Sequence, residues 1–311
     1  MALGGGHGLS ASLSALRLMT ERVTAVVTVA DDGGSSGRLR DELGVLPPGD
    51  LRMALAALCD ESDWGLTWRD LLQHRFHTDG ELDNHAVGNL LIVALWEILG
   101  DTVDGLDWVG RLLGAHGRVL PMSAVPLEIE ADVLTDEGRA TLRGQSVVAT
   151  CAAHIERVRL LPQDPPACPE AVAAVRAADW VVLGPGSWYT SVMPHLLVPE
   201  LAQALQETPA RRCVTLNLDP EDGETHGLSA TDHLVALHEH HPELRVDAVL
   251  ADPSAVDDVD ELTRAAGLMG ARTVMRQVRT SDGAARHDRL RLAAAYRDVF
   301  DDVLGDVGAR V

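Results

Sequence analysis

The sequence predicts an α/β fold built on a doubly wound, mostly parallel sheet. Three observations predict it. A glycine loop, Gly4-Gly5-Gly6-His7-Gly8-Leu9-Ser10, stands three residues into the chain and contains G-x-G-x-x-A from Gly6 to Ala11. A second glycine run, Asp31-Asp32-Gly33-Gly34-Ser35-Ser36-Gly37, follows a strand-like segment from Val23 to Ala30. From Trp180 onward, short apolar runs alternate with helical stretches, the pattern of strands crossing back through helices into one parallel sheet. Together these read as a Rossmann-like sheet with a helical and β-hairpin insertion, in one domain over residues 1–311.

Element by element, only Ala2 and Leu3 precede the first glycines. The chain is therefore expected either to begin inside a longer natural sequence or to make a very short first strand. Ser10 to Met19 reads as a helix, with Leu9, Leu13 and Leu16 along one side. Val23 to Ala30 is a buried parallel-type strand. Pro47-Pro48-Gly49-Asp50 breaks the chain, and Asp50 is read as the cap of a helix from Leu51 to Leu58. Helical patterns follow at Trp68 to Phe76, Ala86 to Leu99 and Leu106 to Ala115. Alternation from Pro126 to Leu134, a turn at Asp136-Glu137-Gly138 and a return from Arg139 to Arg143 predict a hairpin. Residues 48–150 are expected to form an insertion or cap on the sheet. Beyond a proline-rich connector, Pro162 to Pro169, strands are expected at Trp180 to Leu183, Cys213 to Asn217, Val246 to Ala251 and Thr273 to Val278. The helices between and after them are expected at Ser191 to Gln206, Ala230 to His240, Val256 to Ala266 and Arg286 to Leu304.

Composition narrows the function. The formal net charge is −21, which argues against nucleic acid and anionic membranes as partners. All 26 cationic residues are arginine. Without lysine there is no P-loop phosphate clamp, no kinase strand lysine and no Schiff base. Cys59, Cys151, Cys168 and Cys213 contain no C-x-x-C pair and read as reduced thiols. The longest apolar run, Leu90 to Trp96, is too short to span a bilayer. These features predict a cytoplasmic protein with no membrane insertion.

The candidate site is an anion-binding cleft at the carboxyl ends of the strands. Gly5, Gly6, His7, Gly8, Leu9 and Ser10 offer backbone N–H groups at a helix start. Asp31 and Asp32 end the second strand, where an acidic residue takes ribose hydroxyls or carries Mg²⁺ beside a diphosphate. Ser35 and Ser36 continue that nest. Gly184, Gly186, Ser187 and Thr190 follow a later strand and open a helix, either as a second anion loop or as a capped turn. His85 and Asn89 share one helix face. They fit either ligand contacts or a satisfied helix start capped by Asp83 or Asn84. The acidic loop Asp219-Pro220-Glu221-Asp222-Gly223-Glu224-Thr225-His226-Gly227 either folds over a ligand or is solvated. His238-Glu239-His240-His241 lacks metal spacing and reads as a solvated helix end. There is no G-x-S-x-G elbow, and no catalytic residue is assigned.

The segments Gly4 to Ser10, Asp31 to Arg40, Leu82 to Leu90, Gly184 to Ser191 and Gly223 to Thr225 resemble the gluconeogenesis factor family, the YvcK-like or CuvA-like proteins of the CofD superfamily. The resemblance implies a cytoplasmic regulatory protein that binds a UDP-sugar, notably UDP-N-acetylglucosamine. It also implies a role in cell shape and peptidoglycan synthesis during growth on gluconeogenic carbon. It assigns Gly5, Gly6, Gly8, Leu9 and Ser10 to phosphate, Asp31, Asp32, Ser35 and Ser36 to the acidic nest, and Asn89, Gly186, Ser187 and Asn217 to the cleft. Two positions depart from the family pattern: His7 stands for threonine and Asn84 for glycine. No cofactor is required for binding, and Mg²⁺ at Asp31 or Asp32 is admissible. A homo-oligomer and a regulatory protein partner are compatible with this reading. The alternative is a Mg²⁺-dependent transferase that passes a phospholactyl-type group from a guanosine diphosphate-linked donor to a deazaflavin. A NAD-dependent oxidoreductase, suggested by G-x-G-x-x-A alone, ranks last.

Overall fold

A computed structural model describes residues 1–219 and 223–301; Pro220, Glu221, Asp222 and the expected helix end at Leu304 lie outside the described residues. Seven parallel strands form the main sheet: β1 (Ala2–Gly4), β2 (Thr24–Val27), β3 (Arg118–Pro121), β7 (Trp180–Leu183), β8 (Arg211–Thr215), β9 (Ala248–Ala251) and β10 (Arg272–Met275). Their order is β3-β2-β1-β7-β8-β9-β10, and every pairing is parallel. Three antiparallel strands, β4 (Glu128–Thr135), β5 (Gly138–Arg143) and β6 (His154–Leu161), make a separate small sheet in the order β5-β4-β6. The expected hairpin is its β4–β5 pair.

Helices fill the crossovers and cover both sides of the main sheet. They are α1 (Gly6–Leu16), α2 (Gly34–Leu43), α3 (Pro48–Leu58), α4 (Asp63–Gln73), α5 (Val87–Leu99), α6 (Thr102–Leu113), α7 (Gln145–Ala149), α8 (Pro169–Arg176), α9 (Pro199–Glu207), α10 (Ala230–His240), α11 (Val259–Leu268) and α12 (Arg289–Phe300). One buried apolar cluster runs through the chain from Ala2 to Val299.

The first strand is three residues long and lies at the centre of the sheet. Ala2, Leu3 and Gly4 pair with Ala25, Val26 and Val27 on one side, and Ala2 and Leu3 pair with Val182 and Leu183 on the other. Three residues, all buried, are held by ladders on both edges. The chain leaves β1 toward β2 and β3, and later returns at β7 to build the other half. The strand order therefore reverses between β1 and β7. The crevice above such a switch point is where open parallel sheets bind ligands.

Two expectations are corrected. Residues 48–150 are not one insertion. β3, inside that stretch, is the edge strand of the main sheet, with Ala25, Val26 and Val27 opposite Val119, Leu120 and Pro121. The helices α2 to α6 form the β2–β3 crossover, and the small sheet extends past residue 150 to Leu161. Nor is Ser191 to Gln206 one helix. A π-helical turn at Trp188–Val192 and a 3-10 turn at Met193–Leu196 precede α9. Pro194 and Pro199 remove two backbone donors that a continuous helix would use. Asn84 takes φ 62, a left-handed conformation that asparagine tolerates better than most residues, in the turn before His85.

Candidate functional site

The two glycine loops meet at the switch point. A Cβ on Gly8 would lie 2.1 Å from the carbonyl oxygen of Pro185 and 2.6 Å from the Cα of Gly186. Only glycine lets the start of α1 lie against the loop after β7. Asn217, just beyond β8, fixes that second loop. Its Oδ1 accepts from the Gly186 N–H at 2.8 Å, and its Nδ2 donates to the Gly186 carbonyl at 3.0 Å. The Asn217 amide is thus spent on positioning the loop. Glu224 supports the same loop from below: its Oε1 accepts from the N–H groups of Tyr189, at 2.8 Å, and Thr190, at 3.4 Å.

Two cavities open on either side of the contact and share His7, Gly8 and Gly186 as their common wall. The smaller, 260 Å³, lies on the β2 side; Gly5, Gly6, Asp31, Ser187 and Thr190 line it, together with Thr28, Asp50, Gln145 and Ser191. The larger, 810 Å³, runs along α1 past Ser10 and Ser14 to Asn217, Arg286, His287 and Arg289. Gly184 lies behind this wall at the end of β7, where its carbonyl accepts from Ser12 Oγ at 3.1 Å.

Asp31 and Asp32 part company. Asp31 lines the smaller cavity and its Oδ1 accepts from the Gly33 N–H at 3.0 Å. Asp32 turns away from it. Its Oδ1 accepts from the Ser146 N–H at 2.9 Å, in the first turn of α7, and so helps hold Gln145 at the rim of the site. One carboxylate serves the cavity and the next serves the scaffold. Asp32→Ala is therefore expected to lower stability by about 1 kcal/mol, as the loss of a helix-start acceptor does, and to disturb ligand binding only through Gln145. Urea denaturation and calorimetry on one preparation check this; a large affinity loss at unchanged stability would contradict it.

Leu9 is a core residue, 1% exposed, and brings only its backbone to the loop. Ser35, Ser36, His85 and Asn89 are buried and do not line either cavity. Ser35 Oγ meets His85 Nδ1 at 3.1 Å and accepts from Asn89 Nδ2 at 3.0 Å, while Asn89 Oδ1 accepts from Arg52 Nε at 2.9 Å. This network ties α2, α3 and α5 together. Burial, then the charge of Arg38, holds the His85 imidazole below its ordinary pKa. The histidines at the end of α10 are half-buried rather than fully solvated, and His240 packs edge-on against Tyr189. Among the described residues no group of three or more His, Cys, Asp or Glu gathers as a metal cluster, and the four cysteines are free.

Asp50 is the residue that sequence reading assigns wrongly. It is not the cap of α3, which is Pro47, but the third residue of that helix, and it faces the glycine loop. A Cβ on Gly5 would sit 2.5 Å from Asp50 Oδ2, and the Gly6 N–H bonds to the carboxylate. Burial, and then the negative charge of Asp31, pushes the Asp50 carboxyl up to about 7, against the pull of that N–H and of Arg52. The sequence signal was present: an acid at the end of Pro47-Pro48-Gly49-Asp50, ahead of an apolar helix. Arg286 and Arg289 were missed for another reason. They lie more than two hundred residues from the glycine loop, and only the α1–α12 packing brings them to it.

These features describe a class of Rossmann-like protein in which two glycine loops meet at the switch point of a parallel sheet. Comparison with known proteins places the chain within it. The family model described as 2-phospho-L-lactate transferase CofD matches residues 1–287. The chain is 52% identical over 317 residues to the Mycobacterium tuberculosis protein named "Putative gluconeogenesis factor", covering 99% of this chain and 91% of that one. It is 38% identical over 271 residues to the gluconeogenesis factor of Bacillus subtilis, covering 87% and 83%. A crystal structure of a Bacillus halodurans protein of the upf0052 family superposes with a TM-score of 0.85 at 35% identity, covering 94% of this chain and 96% of that one. The chain belongs to the gluconeogenesis factor family of the CofD superfamily. None of its described helices is long and apolar enough to cross a membrane.

Proposed function

We propose that this protein binds a UDP-sugar, UDP-N-acetylglucosamine in particular. In this reading it serves as a cytoplasmic regulatory gluconeogenesis factor, needed for cell shape and cell-wall synthesis on gluconeogenic carbon. The observation that carries the reading is the contact of the two glycine loops between two cavities, one rich in carboxylates and hydroxyls and one carrying arginines. A nucleotide sugar has that shape: two ring-bearing ends joined by a diphosphate. The N–H groups at the start of α1 meet the diphosphate. In a chain of net charge −21, Arg286 and Arg289, which pair with Asp282 and Glu61 in the structure, are the cations within reach of a diphosphate in the larger cavity. The names of the relatives support the role of gluconeogenesis factor.

Calorimetry with UDP-N-acetylglucosamine, UDP, GDP and NAD tests the reading. Binding of the sugar nucleotide is expected, and its absence beside clear heat from GDP or NAD would defeat it. Arg286→Ala is expected to weaken binding roughly tenfold, the low end for a charged hydrogen bond because this side chain is well exposed.

One observation favours the transferase alternative: Asp31 and Asp50 face the same cavity. Two carboxylates beside a diphosphate suit Mg²⁺, which takes one or two protein carboxylates and fills its shell with water and phosphate oxygens. The residue pair for the cation is then Asp31 with Asp50, not Asp32. Mass spectrometry of ligand recovered after hours with Mg²⁺ separates the two readings. Intact UDP-sugar supports a sensor. Released nucleotide or a transferred group, lost in Asp31→Asn, supports an enzyme.

A further inference from the structure

The smaller cavity is a poor seat for a bare phosphate. Asp31 and Asp50 both line it, no arginine does among the described residues, and the chain has no lysine. Two carboxylates facing a phosphate without a cation repel it. What the cavity offers instead is acceptors and hydroxyls. Thr28 and Thr190 line it at 3% and 0% exposure, and neither hydroxyl oxygen has a hydrogen-bond partner. Buried polar groups are nearly always paired, so two orphaned hydroxyls in one cavity mark groups that a ligand satisfies. Gln145 adds an amide at the rim. One chemical group meets carboxylates and hydroxyls together: a neutral ring bearing several O–H groups, each able to donate to a carboxylate and accept from a threonine.

We propose that the smaller cavity is a polyol subsite, in which the sugar ring of the bound nucleotide sugar donates its hydroxyls to Asp31 and Asp50 and meets Thr28 and Thr190. This rests on the nucleotide-sugar reading and adds which residues recognise the ring. The diphosphate then lies over the His7-Gly8 wall, toward the larger cavity with Arg286 and Arg289. The volume of 260 Å³ accommodates a single sugar ring. The high-lying Asp50 carboxyl fits a hydroxyl partner, because a carboxyl protonated part of the time both donates and accepts.

Two rings carry this chemistry, the glycosyl group and the ribose. Calorimetry on the full chain separates them, with UDP-N-acetylglucosamine, UDP, 2′-deoxy-UDP and inorganic pyrophosphate as probes, each with and without Mg²⁺. The variants are Asp50→Asn and Thr190→Val; the second keeps the shape of a buried side chain and removes only the orphaned hydroxyl. If the glycosyl group fills the cavity, Asp50→Asn weakens UDP-N-acetylglucosamine roughly tenfold or more and leaves UDP and pyrophosphate unchanged. If ribose fills it, UDP loses affinity as well and 2′-deoxy-UDP does not. Equal losses for pyrophosphate, or a Mg²⁺ requirement that Asp50→Asn removes, would overturn the polyol subsite in favour of a cation on the phosphates. Failure of UDP-N-acetylglucosamine alone, with GDP or NAD bound, defeats the UDP-sugar reading. The same variants compared on that nucleotide and on pyrophosphate then still decide the subsite. Binding of no probe overturns both.

Discussion

Asp50→Asn is expected to make the protein more stable at pH 8, by up to about 4 kcal/mol, and to change it little at pH 4. The Asp50 carboxyl is raised from 3.8 to about 7 by burial and by Asp31. At about 1.4 kcal/mol per unit, a shift of this size is worth roughly 4 kcal/mol. The sign follows from proton binding. Below the unfolded pKa both states carry the proton and the shift costs nothing. Between about pH 4 and pH 7 the folded state holds the proton and the unfolded state does not, so stability falls as pH rises. Above about 7 the loss is complete and the curve levels off. Asparagine has no charge to bury, so its stability lacks this decline. Urea denaturation of both proteins at pH 4, 5.5, 7 and 8 reads the difference directly. Parallel curves would show that Asp50 is solvated and ordinary. The variant also separates folding from function, since it is expected to fold better while binding the sugar nucleotide less well.

Gly8→Ala is expected to damage both stability and binding. Its Cβ would stand 2.1 Å from the Pro185 carbonyl oxygen, and backbone cannot swing aside as a side chain tip does. Either α1 or the loop after β7 must move. Overpacking of this kind costs about 1–3 kcal/mol. On the proposed reading the diphosphate lies at that contact, so UDP-N-acetylglucosamine affinity is expected to fall roughly ten- to a hundredfold, equivalent to about 1.4–2.8 kcal/mol. Gly267→Ala is the control. It lies in α11 with nothing within 4 Å of the added carbon. There alanine is expected to stabilise by up to about 1 kcal/mol through helix propensity. Thermal melts and calorimetry on both variants check the pair. Normal affinity in Gly8→Ala would mean that the loop contact is not where the ligand sits.

Much of this architecture can be read from local pattern. β7 and α10 have the predicted bounds, Trp180–Leu183 and Ala230–His240, because a four-residue apolar run and a Ser229 capping box are complete local signals. Both glycine loops were legible, since a backbone approached by other backbone leaves glycine as the residue that fits. β3 was not. Its four residues end in proline and carry too little alternation to stand out between α6 and the small sheet. The run from Trp188 to Leu196 looks helical by composition, but Pro194, Pro199 and the Glu224 contacts with Tyr189 and Thr190 hold it in tighter and wider turns.

The parallel α/β sheet, the two glycine loops and the acidic pair that follows β2 are each a property of a few neighbouring residues and are legible in local pattern. Which side chains share a cavity depends on packing between distant segments. Asp31 faces the smaller cavity while Asp32 holds α7. His85 and Asn89 close a buried network with Ser35. Asp50 enters from α3, and Arg286 and Arg289 from the loop before α12 and its first residue. The physical reason is that burial, charge and hydrogen bonding depend on what lies across a contact. Local pattern specifies the elements; the packing of α1 against α3 and α12 specifies the site.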